Sequence, residues 1–425
     1  MTADEKITFT DVFYAPIHEA LPTCSSAREC GAVSDLNFLL SGVGRCLEPV
    51  TSGRDWVQTI RYLLSAPISV SNFFSTLKSE RRLRLQNEAA EWIRTKTDRT
   101  TIPQADPFSA HQELDGFAIY AADGHFHKAS AHETLIEEKR YPVGHIYAMN
   151  LRSLSMHHLD VTRPLEHKKK KEHEMNVLKR LEGKALRMGE PQGRKVILAY
   201  DPAVVGIHQW DKWKRSLGLY IITREKENMA PMRCGYLDFD RNDPRNNGVV
   251  SDEQVGFSGI MTRRITYIDP VSGKEYVFIT NEMTLPPGLL AFIYKRRWDV
   301  EKVYDEFKNG LMETKAWADS AEAKCHQANF ICMTHNLLVL LERKLEAEEG
   351  IREKKIERKR EKRLAAEIAI IKAAGRKPNP LAQACYRCVK RTLQFIREVR
   401  LASDHKVSWR AAVVTLRLVM EKYLA

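Results

Sequence analysis

The chain has 425 residues, enough to bury a full core and to divide into two to four domains. Lys and Arg number 67 against 55 Asp and Glu, and the formal net charge of +12 favours a polyanionic partner over an acidic one. Eight cysteines make no disulfide framework at this length, no apolar run approaches the roughly 18 residues that span a bilayer, and MTADEKITFTD lacks a signal-peptide pattern, so a soluble cytoplasmic protein with no membrane partner is expected.

Residues 1 to 105 read as helical. LNFLLSGVGRCL and VSNFFSTLKSERRLRLQNEAAEWIRTK alternate apolar and basic positions and end in the breaker-rich TTIPQADPFSA. A small DNA-contacting domain and a helical bundle packed on its neighbour both fit. From 106 to 225, short β-rich runs (GFAIYAADG, HIYAMNLRS, HHLDVT, KVILAYD, GLYIITRE) alternate with the helical EHEMNVLKRLEG and HQWDKWKRSL, which predicts a mixed α/β sheet covered by helices. Residues 226 to 285 form a second β-rich stretch, with a hairpin at VSGKEY, inserted between sheet and helix.

Residues 286 to 345 are helical again. In YKRRWDVEKVYDEFKNGL, residues 294 to 311, Val300, Val303, Phe307 and Leu311 share an apolar side. On one continuous helix Tyr294, Arg297, Glu301 and Lys308 fall within an arc of about 60°, along about 21 Å, which suits an extended ligand. A charged face of this kind is also what solvent alone selects. The part from 346 to 425 is helical and basic. Its run IREKKIERKREKR reads as a solvated charged helix, with phosphate contact as the second role, and the pair Cys385 and Cys388 lacks the partner pair of a zinc knuckle.

Two acids sit where strands of an open α/β sheet deliver functional groups. Asp123 closes FAIYAAD and precedes Gly124, which permits a sharp turn; Asp201 closes VILAYD and precedes Pro202. Burial opposes such charges unless a metal or a basic group compensates, although Asp before Gly or Pro is also ordinary turn chemistry. Together with Glu301 they supply three carboxylates that can hold two Mg²⁺ ions on hard oxygen ligands, to activate a water and stabilise the leaving oxygen of a phosphodiester. The flanking cations and the Tyr hydroxyl would hold phosphates.

The spacing Tyr294-x2-Arg297-x3-Glu301-x6-Lys308 resembles the Tyr-Arg-Glu-Lys signature of DDE transposases of the insertion-sequence-four family. The β-rich insertion ahead of the Glu helix, and the helical segment ahead of the first Asp, are similar to that family too, over roughly residues 70 to 345. The resemblance implies an RNase H-like α/β fold: a mixed sheet flanked by helices, with a β-rich insertion and helical N- and C-terminal parts. It implies a catalytic triad of Asp123, Asp201 and Glu301 that binds two Mg²⁺, with Mn²⁺ able to substitute. It also gives Tyr294, Arg297 and Lys308 contacts to transposon-end DNA. Trp298 stands where some relatives also have Trp, and both helix packing and a DNA contact are open to it. Relatives that cut through a hairpin intermediate hold a flipped base on an aromatic residue, often Trp, of the insertion. Residues 226 to 285 offer only Tyr236, Phe239, Phe257, Tyr267, Tyr276 and Phe278.

The implied activity is cut-and-paste transposition: cleavage at the terminal inverted repeats and transfer of the freed 3′-OH into target DNA. The partners are double-stranded end and target DNA and, because two ends are joined, a homodimer assembled on DNA at the prokaryotic nucleoid. A catalytically silent DNA-binding protein of transposase origin shares every one of these residues. A metal-dependent small-molecule hydrolase is the rival from another class: His125 and His127 form an HxH pair after a strand, as in amidohydrolase barrels. That barrel needs eight regular βα units, which the chain does not supply, and the same histidines also read as polar loop or core members.

Overall fold

The computed structural model describes residues 7–29, 33–48, 52–59, 68–101, 106–133, 135, 138–163, 172–311, 313–351, 354–381, 391 and 393–423. Five strands form its centre: β1 (Phe117–His127), β2 (Val143–Asn150), β3 (Met156–Val161), β4 (Lys195–Ala199) and β5 (Leu219–Arg224). They lie in the order β3-β2-β1-β4-β5. The first three form an antiparallel meander, while β4 runs parallel to β1 and β5 parallel to β4. Parallel neighbours need crossovers, and the helices Glu174–Arg180 and Ile207–Leu217 belong to the connections that lead into β4 and β5. This is the mixed, helix-flanked sheet of an RNase H-like fold.

The run FAIYAA in β1 is apolar throughout because both of its faces are covered. Phe117, Ile119 and Ala121 enter one apolar core, while Ala118, Tyr120 and Ala122 enter a second one shared with the crossover helices. On the first face the helices Trp298–Asn309 and Ala321–Glu349 cover the sheet, and Glu80–Arg99 and Asp35–Leu47 pack on the latter. Within that contact the Gln86 amide donates to the His326 main-chain oxygen (3.0 Å). Ile7 to Phe9 meet Val407 to Trp409: the Phe9 N–H donates to the Val407 oxygen (2.7 Å) and the Trp409 N–H to the Ile7 oxygen (2.9 Å).

The sheet does not stop at β5. β9 (Glu275–Thr280) pairs antiparallel with it, and β8 (Ile260–Ile268), β7 (Val249–Phe257) and β6 (Met232–Tyr236) follow outward, giving nine strands in one sheet. The hairpin expected at VSGKEY joins β8 to β9, with Gly273 at φ 71°. An open sheet of this kind has no place for the βα barrel of the hydrolase reading. Residues 361–370 of the basic helix Lys354–Ala373 are exposed or half-buried, as a solvated helix requires. Cys385 and Cys388 lie outside the described residues.

Two expectations differ in detail. β1 does not end at Asp123: it runs four residues further, paired with β2 through His127, whereas β4 stops opposite Ala121. Gly124 is therefore a strand residue and makes no turn. The segment 287 to 311 is also not one helix but two, Pro287–Arg296 and Trp298–Asn309, joined at Arg297. There the Arg297 N–H donates to Tyr294 O (3.0 Å) and the Val300 N–H to Arg297 O (3.0 Å), three-residue spacings that tighten the turn and break the single stripe.

Candidate active site

Register places the two aspartates side by side. Ala121 of β1 lies opposite Ala199 of the parallel strand β4, so Asp123, two residues on within β1, and Asp201, two residues beyond the end of β4, stand at the same level. Asp201 caps the turn Pro202–Val204, its Oδ1 accepting from the Ala203 N–H (2.8 Å). The Asp123 Oδ1 accepts from the Gly124 N–H (2.9 Å), and the Tyr304 hydroxyl donates to the Asp123 main-chain oxygen (2.6 Å).

A third carboxylate that the sequence reading missed joins them. Glu174, first residue of the helix Glu174–Arg180, brings an oxygen to Asp123 and Asp201 so that one ligand atom from each lies within 4.8 Å of the others. The Tyr200 hydroxyl holds its Oε2 (2.8 Å). Gly124 makes room for it: a Cβ there would stand 2.2 Å from Glu174 Oε1. An acid in the first turn of a helix is ordinary dipole chemistry, so Glu174 carried no distinguishing signal.

Glu301 stands outside this group, across one guanidinium. Arg297 donates from Nη1 to Asp123 Oδ2 (2.9 Å) and from Nη2 to Glu301 Oε1 (3.2 Å). The Arg297 side chain is 6 % exposed and that of Glu301 40 %, so the bridge runs from the interior to the rim. Tyr294 is buried against Phe278, with ring centres 5.0 Å apart, and the Arg297 Cζ lies 5.6 Å from the Tyr294 ring centre. Trp298 is 53 % exposed, so it does not pack in the helix core, and Arg297 lies 5.5 Å from its ring centre. Lys308 is exposed further along the helix, and Val300, Val303, Phe307 and Leu311 are all buried, as the pattern predicts.

The electrostatics show a site short of positive charge. Burial pushes the Asp123 carboxyl up to about 6; Arg297 opposes the rise, and the charges of Asp201 and Glu301 add to it. Burial likewise raises Glu174 to about 7, resisted by the Tyr200 hydrogen bond and reinforced by Asp201 and Asp123. An all-oxygen, all-anionic donor set of this kind suits a hard divalent cation. Beside it opens a cleft of about 450 Å³ lined by Asp201, Tyr276, Phe278, Tyr294, Arg297 and Trp298, among others.

His125 and His127 are not loop residues. They lie on β1, on the Asp123 face and deeper under the Trp298–Asn309 helix, within a group of buried polar side chains.

Residues 94–337, more than half of the chain, match a family model described as the transposase DDE domain. No curated protein matches the chain.

Proposed function

Since the chain belongs to the transposase DDE-domain family, we propose that it cleaves DNA at transposon ends and transfers the freed 3′ strands into target DNA, within the insertion-sequence-four group that the Tyr294, Arg297, Glu301 and Lys308 spacing resembles. The observation that carries this reading is the convergence of Asp123 of β1 and Asp201, two residues beyond the end of the parallel strand β4, with Glu301 linked to Asp123 through Arg297. DDE transposases use divalent metal ions. In this reading Asp123, Asp201 and Glu301 hold two Mg²⁺, or Mn²⁺ in their place, and Glu174 adds negative charge from the side. Bound metal supplies a water of lowered pKa and stabilises a leaving oxygen.

The chain's own groups position the DNA. Arg297, now shared between Asp123 and Glu301, would with Lys308 and the Tyr294 hydroxyl hold phosphate oxygens beside the acids. The adjoining aromatic cleft is of a size to take one unstacked base against Tyr276, Phe278 or Trp298, which supports a flipped-base step without a Trp in the insertion. Joining two ends calls for two such sites, hence a homodimer on DNA.

The test uses the wild-type chain, Mg²⁺ and a labelled duplex carrying the inverted repeat that flanks its reading frame. Strand cleavage by wild type, lost in Asp201→Asn with DNA binding kept, supports the reading. Binding without cleavage in either Mg²⁺ or Mn²⁺ would identify the silent DNA-binding alternative.

A further inference from the structure

A second set of ligand-type side chains lies under the Trp298–Asn309 helix, and the proposed reaction does not use it. Asp123, His125 and His127 alternate along β1 and so share a face. His145 of β2 stands opposite His125, and His158 of β3 stands opposite Tyr147. Glu313 comes down onto them from the turn that follows the helix. Its N–H donates to the Phe307 oxygen (2.8 Å), and Lys128 and Lys315 form a bridge that ties this turn to the end of β1. His127 is 6 % exposed, His145 0 % and Glu313 1 %.

Three donor atoms converge there. The Nε2 atoms of His127 and His145 are 3.0 Å apart, His127 Nε2 is 4.0 Å from Glu313 Oε1, and one ligand atom from each of the three residues lies within 4.8 Å of the others. The far nitrogens are already engaged. His127 Nδ1 lies 3.0 Å from the Lys128 oxygen, which only accepts, so Nδ1 carries the proton and Nε2 presents a lone pair inward. His145 Nδ1 lies 3.2 Å from His158 Nε2. Partners of this kind fix the tautomers of metal-ligating imidazoles.

A chain of donors from His158 through His145 to His127 satisfies those rings. It leaves Glu313 Oε2 and His125 Nε2 facing each other at 3.4 Å, while the Tyr147 hydroxyl takes Oε1. A carboxyl buried among neutral groups is costly to ionise unless a cation compensates it.

We propose that His127, His145 and Glu313 form a structural zinc site, with His125 as the nearest further ligand. Two imidazoles and a carboxylate suit a borderline d-block ion such as Zn²⁺, whereas the all-carboxylate group at Asp123 suits hard Mg²⁺, so the two sites select different metals. Bonds of about 2.0–2.1 Å in tetrahedral geometry set neighbouring donors about 3.3 Å apart, and the two Nε2 atoms need to separate only slightly to reach that. Burial of every ligand points to a structural ion. It would clamp β1 and β2 to the residue just beyond the Glu301 helix, in series with the Tyr147 bond to Glu313 and the Tyr304 bond to Asp123.

The full chain is stripped with a chelator, dialysed against Zn²⁺ in excess Mg²⁺, and assayed for metal by mass spectrometry. Co²⁺ serves as the absorbing probe. The expected result is one Zn²⁺ per chain and Co²⁺ ligand-field bands of low coordination number. Asp123→Asn retains both, and His145→Gln and Glu313→Gln lose at least tenfold in affinity. Wild-type chain that retains no zinc, or folded His145→Gln that retains it fully, overturns the proposal. If either variant fails to fold, competition in the wild type decides. Bound Co²⁺ that Zn²⁺ displaces and Mg²⁺ does not supports the site, and displacement by Mg²⁺ assigns the ion to the carboxylates and overturns it.

Discussion

Arg297→Ala tests the bridge between the interior and rim acids. The Arg297 side chain is 6 % exposed and that of its partner Asp123 17 %. A charge-assisted hydrogen bond of this burial contributes about 1.5–3 kcal/mol. The Glu301 side chain, 40 % exposed, is screened by solvent and adds about 0.5 kcal/mol at most. The metal-free variant should therefore lose about 2–3 kcal/mol, several degrees in Tm. Mg²⁺ should act in the opposite sense. Without the guanidinium, nothing on the Arg297 side opposes the rise of the Asp123 carboxyl above about 6, and a divalent cation gains a place it no longer has to contest. A tenfold gain in Mg²⁺ affinity adds about 1.4 kcal/mol to the ligand-induced stabilisation once metal is in excess. Differential scanning fluorimetry of both proteins, with and without Mg²⁺ near neutral pH, reads both quantities. Arg297→Lys should fall between them, because one ammonium cannot span both acids in the fork geometry of Arg. An Ala variant that melts with wild type and shows the wild-type Mg²⁺ shift would refute the bridge.

Asp123→Asn, Asp201→Asn and Glu301→Gln should abolish end cleavage while duplex binding persists in gel-shift titrations. Asp305→Asn should cleave normally, since that carboxylate is exposed and engaged by Asn309 (2.6 Å). Lys308→Ala should lower the log–log salt slope of end binding by about 0.9, and an unchanged slope returns Lys308 to the solvent. Asp123 at about 6 and Glu174 at about 7 bind protons more tightly folded than unfolded. Metal-free stability from these groups is full below pH 4 and is lost as pH rises through 6 and 7, so the Mg²⁺-induced rise in Tm should grow over that window. A shift independent of pH there would place the metal elsewhere. Gly124→Ala should keep the fold, because only the tip of Glu174 and, slightly, the exposed Phe126 ring have to move, yet raise the Mg²⁺ needed for half-maximal cleavage, as Glu174→Gln should. Unaltered metal dependence in both removes Glu174 from the site.

The sheet was legible because burial on two faces writes itself into composition. FAIYAAD and VILAYD have few other homes than central strands, and the parallel register that ends at Ala121 and Ala199 brings the two aspartates to one level. The docked side of the Glu301 helix was legible for the same reason. Other features depend on neighbours distant in sequence. The length of β1 is set by its pairing with β2, the value of Gly124 by the Glu174 tip, and the break at Arg297 goes with a side chain drawn to Asp123, 174 residues earlier. Helical phase carries none of this.

The meeting of Ile7 to Phe9 with Val407 to Trp409 bears on how the chain acquires its shape. Bringing ends some 400 residues apart together costs about 5 kcal/mol of loop-closure entropy on an unfolded chain, and far less once the intervening sheet has formed. The helix Phe9–Phe13 packs on its neighbour Ala15–Ala20 and also on Leu393–Asp404 and Trp409–Leu418, so part of its apolar surface is covered only after those distant helices have been synthesised. Closure of this contact is therefore a late event, reporting that the chain has been read through at least to residue 409.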